Sequence, residues 1–230
     1  MFIENGHLPW CPTLEEPCRC KPTGYAFAMV LALITAGIEF WGSGASHSLS
    51  LFGDAIHVSS DVLVYLVAIV AGIIAAKAGD KNRARTVKEK LAVVNANILI
   101  VVAFSTIGWA AWRISHPADV EAGTMLLISV IGLLLNGLMY VALKLFEIED
   151  EHGGHDHLHR TTILHTLNDL GISFVVVATA GTMKLWPWIA SYDIDSWVSI
   201  VICIWIMERA NETKHKAEKA IAGEHHSHRH

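Results

Sequence analysis

Charge is scarce in this chain. Only 17% of its 230 residues are Asp, Glu, Lys or Arg, against about 25% in soluble domains. That excludes an ordinary water-soluble fold. A positive surplus is lacking as well: the formal net charge is −5, so no basic surface awaits a nucleic-acid partner. Cysteine is limited to four residues, three of them crowded at positions 11, 18 and 20, which is not the spacing of a secreted disulfide framework. Residues 1–21 lack the basic-then-apolar pattern of a signal peptide. What the chain has instead is apolar: 53% of its residues are hydrophobic and the mean hydropathy is +0.41.

The apolar residues fall in six long runs, at about 24–45, 50–77, 90–114, 121–146, 160–184 and 191–208. Each is near the roughly 20 residues that a helix needs to cross a bilayer. Continuous runs such as VLVYLVAIVAGIIAA lack the alternation of a transmembrane strand. The expected fold is an all-α integral membrane protein, a six-transmembrane-helix bundle spanning 24–208. Lys and Arg set its expected orientation. With the N-terminus in the cytosol, only Arg113 and Lys184 of the 17 basic residues fall outside, so both termini are expected to be cytosolic. Trp41, Trp109, Trp112, Trp186 and Trp188 then lie near the outer ends, as an aromatic belt would.

Three segments expected in the cytosol carry metal-type side chains. Residues 1–23 hold His7, Cys11, Cys18 and Cys20; the loop 147–160 holds His152, His155, His157 and His159; the tail 209–230 ends in HHSHRH. The loop has many ligands and no fixed geometry, so it is either a weak metal-gathering segment or a polar linker. The N-terminal set lacks C-x-x-C spacing; it is either one zinc or copper(I) site through thiolates or a set of free thiols. Cys203, inside the sixth run, reads as a packed small residue. The tail is too short to bury a core of its own.

Two apolar runs each contain His-x-x-x-Asp: His57–Asp61 in the second and His165–Asp169 in the fifth. Ionisable groups are costly at membrane depth, and a helix puts positions i and i+4 on one face. The second and fifth spans run antiparallel, so each level of the pair would carry one His and one Asp. Together they offer four N/O ligands, a tetrahedral shell for a divalent metal, with two negative charges to neutralise it. Such a set suits Zn²⁺ and accepts Co²⁺, Fe²⁺ or Ni²⁺; Ca²⁺ and Mg²⁺ prefer oxygen alone. A single His or Asp would serve equally as an interhelical hydrogen bond, but two matched copies exceed that need. His57 sits in the outer third of its run and His165 near the inner start of its own. Equal depth therefore requires the fifth helix to begin inside the His-rich loop, or the helices to tilt.

Other polar residues have two readings each. Asp54 lines a pathway or caps a helix start. Asn136, like Asn95 and Asn97, faces the path or bonds between helices. Ser59 and Ser60 support the ligands or pack as small residues. Glu39 reads as a solvated carboxylate at the membrane interface.

The segment SGASHSLSLFGDAIHVSSD, residues 43–61, closely resembles the signature of the cation diffusion facilitator family. The second His-x-x-x-Asp, Glu39 before Trp41–Gly42, Gly132 with Asn136, the WPWIASYDID stretch at 186–195 and the His-rich loop are similar too. The likeness covers about residues 24–208. It implies a divalent metal/proton antiporter that exports metal from the cytosol by alternating access, usually as a homodimer. It implies His57, Asp61, His165 and Asp169 as the transport site, with the His-Asp form of the second helix associated with zinc over cadmium. Most members carry a further cytosolic C-terminal domain; this chain is expected to be a short member without it, holding any dimer through its helices. Competing classes are a membrane-embedded zinc hydrolase, which needs an open coordination position, and a metal sensor, which has no need to bury its ligands. No organic cofactor is expected, and short loops point to a bacterial inner membrane.

Overall fold

The computed structural model describes residues 20–78, 81–145, 157–190 and 193–227. Among these there are six long helices, one single-turn helix and no strand. The long helices are α1 (Cys20–Ser46), α2 (Leu49–Ala78), α3 (Lys81–Ser115), α4 (Ala122–Leu145), α5 (His157–Leu185) and α7 (Ile194–Ser227); α6 (Pro187–Ala190) is the single turn. A helix satisfies its own backbone, which is what a hydrocarbon surrounding demands.

Five helices carry a stretch long and apolar enough to cross by itself: Tyr25–Ser46, Leu49–Val67, Glu89–Ser115, Ala122–Lys144 and Thr166–Leu185. The sixth expected span is only the first half of α7. Its apolar residues 197–207 are bracketed by Asp195, Glu208 and Arg209, which is why its composition alone falls short. Nor does that helix stop near 208; it continues to Ser227. Ala210 and Ala217, seven residues apart, stay buried where α7 runs beside α3.

Packing sorts the helices into two groups. α1, α2, α5 and α4 form a closed ring, each touching the next, and α3 pairs with α7 beside α2. Small residues make the close approaches, as is usual in membranes. Ala28, Ala32 and Ala36 recur every four residues on the buried side of α1. Gly42 faces Ile128, whose Cγ2 would lie 2.5 Å from a Cβ at that position. The outward faces carry Leu33, Phe40, Val101, Phe104, Leu134 and Phe174, the inverse of a water-soluble bundle. The five tryptophans named above are all exposed and gather near the end of the bundle that holds the α1–α2 turn.

That end is tied together by charge. Asp195, on α7, caps α2 from a neighbouring helix. Its carboxylate accepts from Leu49 N at 2.6 Å, Ser50 N at 3.2 Å, Ser48 Oγ at 2.8 Å and Ser50 Oγ at 2.5 Å. Arg113, at the end of α3 and only 4% exposed, donates to His47 O at 2.8 Å and lies 3.5 Å from Asp193 and 3.6 Å from Asp195. His47 takes the left-handed conformation, with φ of 56°, and ends α1 with Ser48 N bonded to Ser43 O at 3.2 Å.

Two stability outcomes follow. Asp195→Ala strips the cap from α2 and leaves Arg113 with one carboxylate; a loss of about 3 kcal/mol is expected, read from unfolding in mixed detergent micelles. Gly42→Ala forces Ile128 aside at a cost of about 1–3 kcal/mol, and adding Ile128→Ala recovers part of it, a coupling that a double-mutant cycle detects.

Candidate metal centre

The site grows from one stripe on each of two helices. On α2, Asp54, His57 and Asp61 follow at intervals of three and four, and all are buried. On α5, Thr166, Asp169 and Ser173 do the same. Three contacts step along the seam in opposite directions, as antiparallel helices must. Ser173 Oγ donates to Asp54 Oδ2 at 2.9 Å; His57 Nε2 meets Asp169 Oδ1 at 2.7 Å; Tyr65 OH and Thr166 Oγ1 are 3.1 Å apart.

Ligand atoms of His57, Asp61 and Asp169 all lie within 4.8 Å of one another. Among the described residues no other three His, Cys, Asp or Glu side chains converge in this way. His165 sits on the α5 backbone one turn before Asp169, at the level of Asp61; its side chain lies outside the described residues. The depth question has a direct answer: α5 begins at His157, inside the His-rich loop, three residues earlier than the expected 160.

The 2.7 Å contact requires one hydrogen between His57 Nε2 and Asp169 Oδ1. With Asp169 ionised the imidazole donates it, since a carboxylate only accepts; with Asp169 protonated the carboxyl donates it to the ring nitrogen. In either form a metal cannot take both atoms until that proton leaves.

The remaining candidates divide. Asp54 does not cap α2, because it lies in the second turn, and Asp195 holds the helix start. Asn136 joins Asp54 through one intermediary, its Nδ2 donating to Ser173 Oγ at 2.8 Å. Ser59 bonds back to Ala55 O at 2.7 Å, a local bond of the helix. Asn97 faces outward and Asn95 is half-buried. Cys203 is buried and lines a small apolar gap with Gly53, Ile56, Leu99 and Thr106, as its packing role predicts. Cys20 opens α1, and His157 and His159 lie in the first turn of α5; their side chains, with His7, Cys11, Cys18, His152 and His155, fall outside the described residues.

Glu39 corrects the sequence reading. It is not a solvated interfacial group but is fully buried, packed against α4 where Gly132 leaves room. A Cβ at Gly132 would collide with Glu39 Oε1. Ser173 was not singled out from the sequence, although it follows Asp169 at i+4 and extends the same stripe. Arg113, Asp193 and Asp195 were missed as a cluster because they join ends far apart in the chain.

The fold and this centre define an integral, multi-pass membrane protein with a buried His/Asp cluster between two of its helices. The model of the cation efflux transmembrane domain matches residues 26–213, and the chain belongs to that family, the cation diffusion facilitators. It is 30% identical over 183 residues to the cadmium, cobalt and zinc/H(+)-K(+) antiporter of Bacillus subtilis, covering 77% of this chain and 56% of that protein. It is 26% identical over 198 residues to the metal cation efflux system protein CzcD of Cupriavidus metallidurans, covering 82% and 59%. With the zinc transporter ZitB of Escherichia coli it shares 29% over 223 residues, covering 90% and 64%. The chain thus spans 56–64% of the length of these relatives.

Asp169→Asn keeps the shape of the side chain and removes its charge. Zinc affinity, measured by calorimetry on the purified protein, should fall by more than the about 10–100-fold typical of losing an outer-shell partner.

Proposed function

We propose that this chain carries divalent metal cations across the membrane in exchange for protons, with His57, Asp61, His165 and Asp169 as the transport site. The observation that supports this most is the His57–Asp169 contact at 2.7 Å. In the metal-free protein a proton bridges the two groups. A tetrahedral zinc with bonds of about 2.0–2.2 Å would hold the same two atoms about 3.4 Å apart. Metal entry must therefore expel the proton and part the two atoms by ~0.7 Å. Proton return must expel the metal and close them. Histidine, with an ordinary pKa near 6.5, makes that competition effective at physiological pH. One seam between α2 and α5 then couples metal entry to proton release.

The direction is export from the cytosol; both termini are cytosolic, which the asymmetry of Lys and Arg supports. The ligand types favour zinc, with Co²⁺, Fe²⁺ and Ni²⁺ as further substrates. The names of the relatives support a divalent metal cargo, since they specify zinc, cadmium and cobalt and, for one, exchange with H(+) and K(+). The protein is a transporter rather than an enzyme, acts in a bacterial inner membrane, and works as a homodimer joined through its transmembrane helices.

Proteoliposome flux tests the reading. Zinc movement is expected to require an opposing pH gradient and to collapse when the gradient is dissipated. His57→Ala should lower the flux by about 100-fold or more while the helical content is unchanged. Undiminished transport by that variant would remove His57 from the site; flux that ignores the pH gradient would remove proton exchange.

A further inference from the structure

Among the described residues, six buried oxygen atoms outside the His/Asp cluster have no hydrogen-bond partner, and four of them belong to Glu39, Asp54 and Asn136: Glu39 Oε1 and Oε2, Asp54 Oδ1 and Asn136 Oδ1. All three residues are fully buried. Buried acceptors left without donors are rare in folded proteins and each asks for a reason. Here they are neighbours. Asn136 and Asp54 are joined through Ser173, each spending one polar atom on it. Gly132 lies one turn from Asn136 on α4, and Glu39 Oε1 fills the space that its missing Cβ leaves. Glu39 is also within electrostatic range of Asp54. The bonds to Ser173 use Asp54 Oδ2 and Asn136 Nδ2 and leave Asp54 Oδ1 and Asn136 Oδ1 bare.

We propose that Glu39, Asp54 and Asn136 form a second cation site, built of oxygen alone, one turn beyond His57 toward the α1–α2 turn. Two carboxylates and one amide carbonyl carry two negative charges, which a divalent cation cancels. Without nitrogen or sulfur, the site is a poorer holder of zinc than the His/Asp cluster and a better holder of hard cations. That difference gives it a role. An ion that leaves a tight site into bare hydrocarbon faces a large penalty. A weaker site next in line takes it over and lets it go, since passage needs binding strong enough to enter and weak enough to leave. Glu39 of α1 and Asn136 of α4 thus join Asp54 of α2 to make a station on the way out. The inference rests on the transport reading only for this role; the binding itself stands apart from it.

Mn²⁺ is the probe, because it favours carboxylate and carbonyl oxygen over imidazole and thiolate. Electron paramagnetic resonance of the purified protein counts bound Mn²⁺, and zinc calorimetry on the same samples reports the His/Asp cluster. In the unaltered protein one Mn²⁺ site is expected. Glu39→Gln should weaken it at least 10-fold while the tight zinc site persists. Asp54→Asn, which keeps an oxygen for Ser173, should do the same and serves if the first variant does not fold. Mn²⁺ binding unchanged in both variants overturns the proposal, as does an unaltered protein that binds no Mn²⁺, or binding lost only with His57→Ala. An unaltered protein that binds Mn²⁺ but lacks a tight zinc site would overturn the transport reading and leave this one standing.

Discussion

The antiparallel seam between α2 and α5 is the contact on which the rest of the structure depends. Inside a bilayer a carboxylate or an imidazole without a partner is expensive, and no water is at hand to share the cost. The two helices answer it with each other. Asp54 meets Ser173, His57 meets Asp169 and Tyr65 meets Thr166. A slip of either helix by one residue would break all three at once and turn the polar stripes toward lipid. The seam therefore fixes register as well as chemistry, and α1 and α4 close around it with alanine and glycine.

How much of this was readable beforehand depends on range. The spacing of His57, Asp61, His165 and Asp169 is local, and a helix converts local spacing into a common face, so the pairing could be stated from the chain alone. Five spans were legible because hydropathy sums over many residues. The sixth was legible as a position but not as a length, since α7 continues past 208 on the strength of packing that Ala210 and Ala217 provide. The start of α5 at His157 escaped hydropathy because histidine-rich turns score as polar whether or not they are helical.

The misreading of Glu39 has a different origin. Its neighbours in the chain, Phe40 and Trp41, face outward, and sequence alone makes the carboxylate look like part of the same interface. Its surroundings come from α4, almost a hundred residues away, where one glycine leaves the space it occupies. The Arg113–Asp193–Asp195 cluster was hidden for the same reason. Each residue is ordinary in its own segment, and only the meeting of three helix ends gives it a role.

The cap that Asp195 places on α2 has a mechanical side. A helix whose first amides are held by a residue of another helix cannot slide or tilt at that end without exposing them. With Arg113 bound to the same group, the ends of α2, α3 and α7 behave there as one rigid clamp. The ends away from the tryptophans have no such tie to Asp195, so a single carboxylate decides which end of the three helices is held.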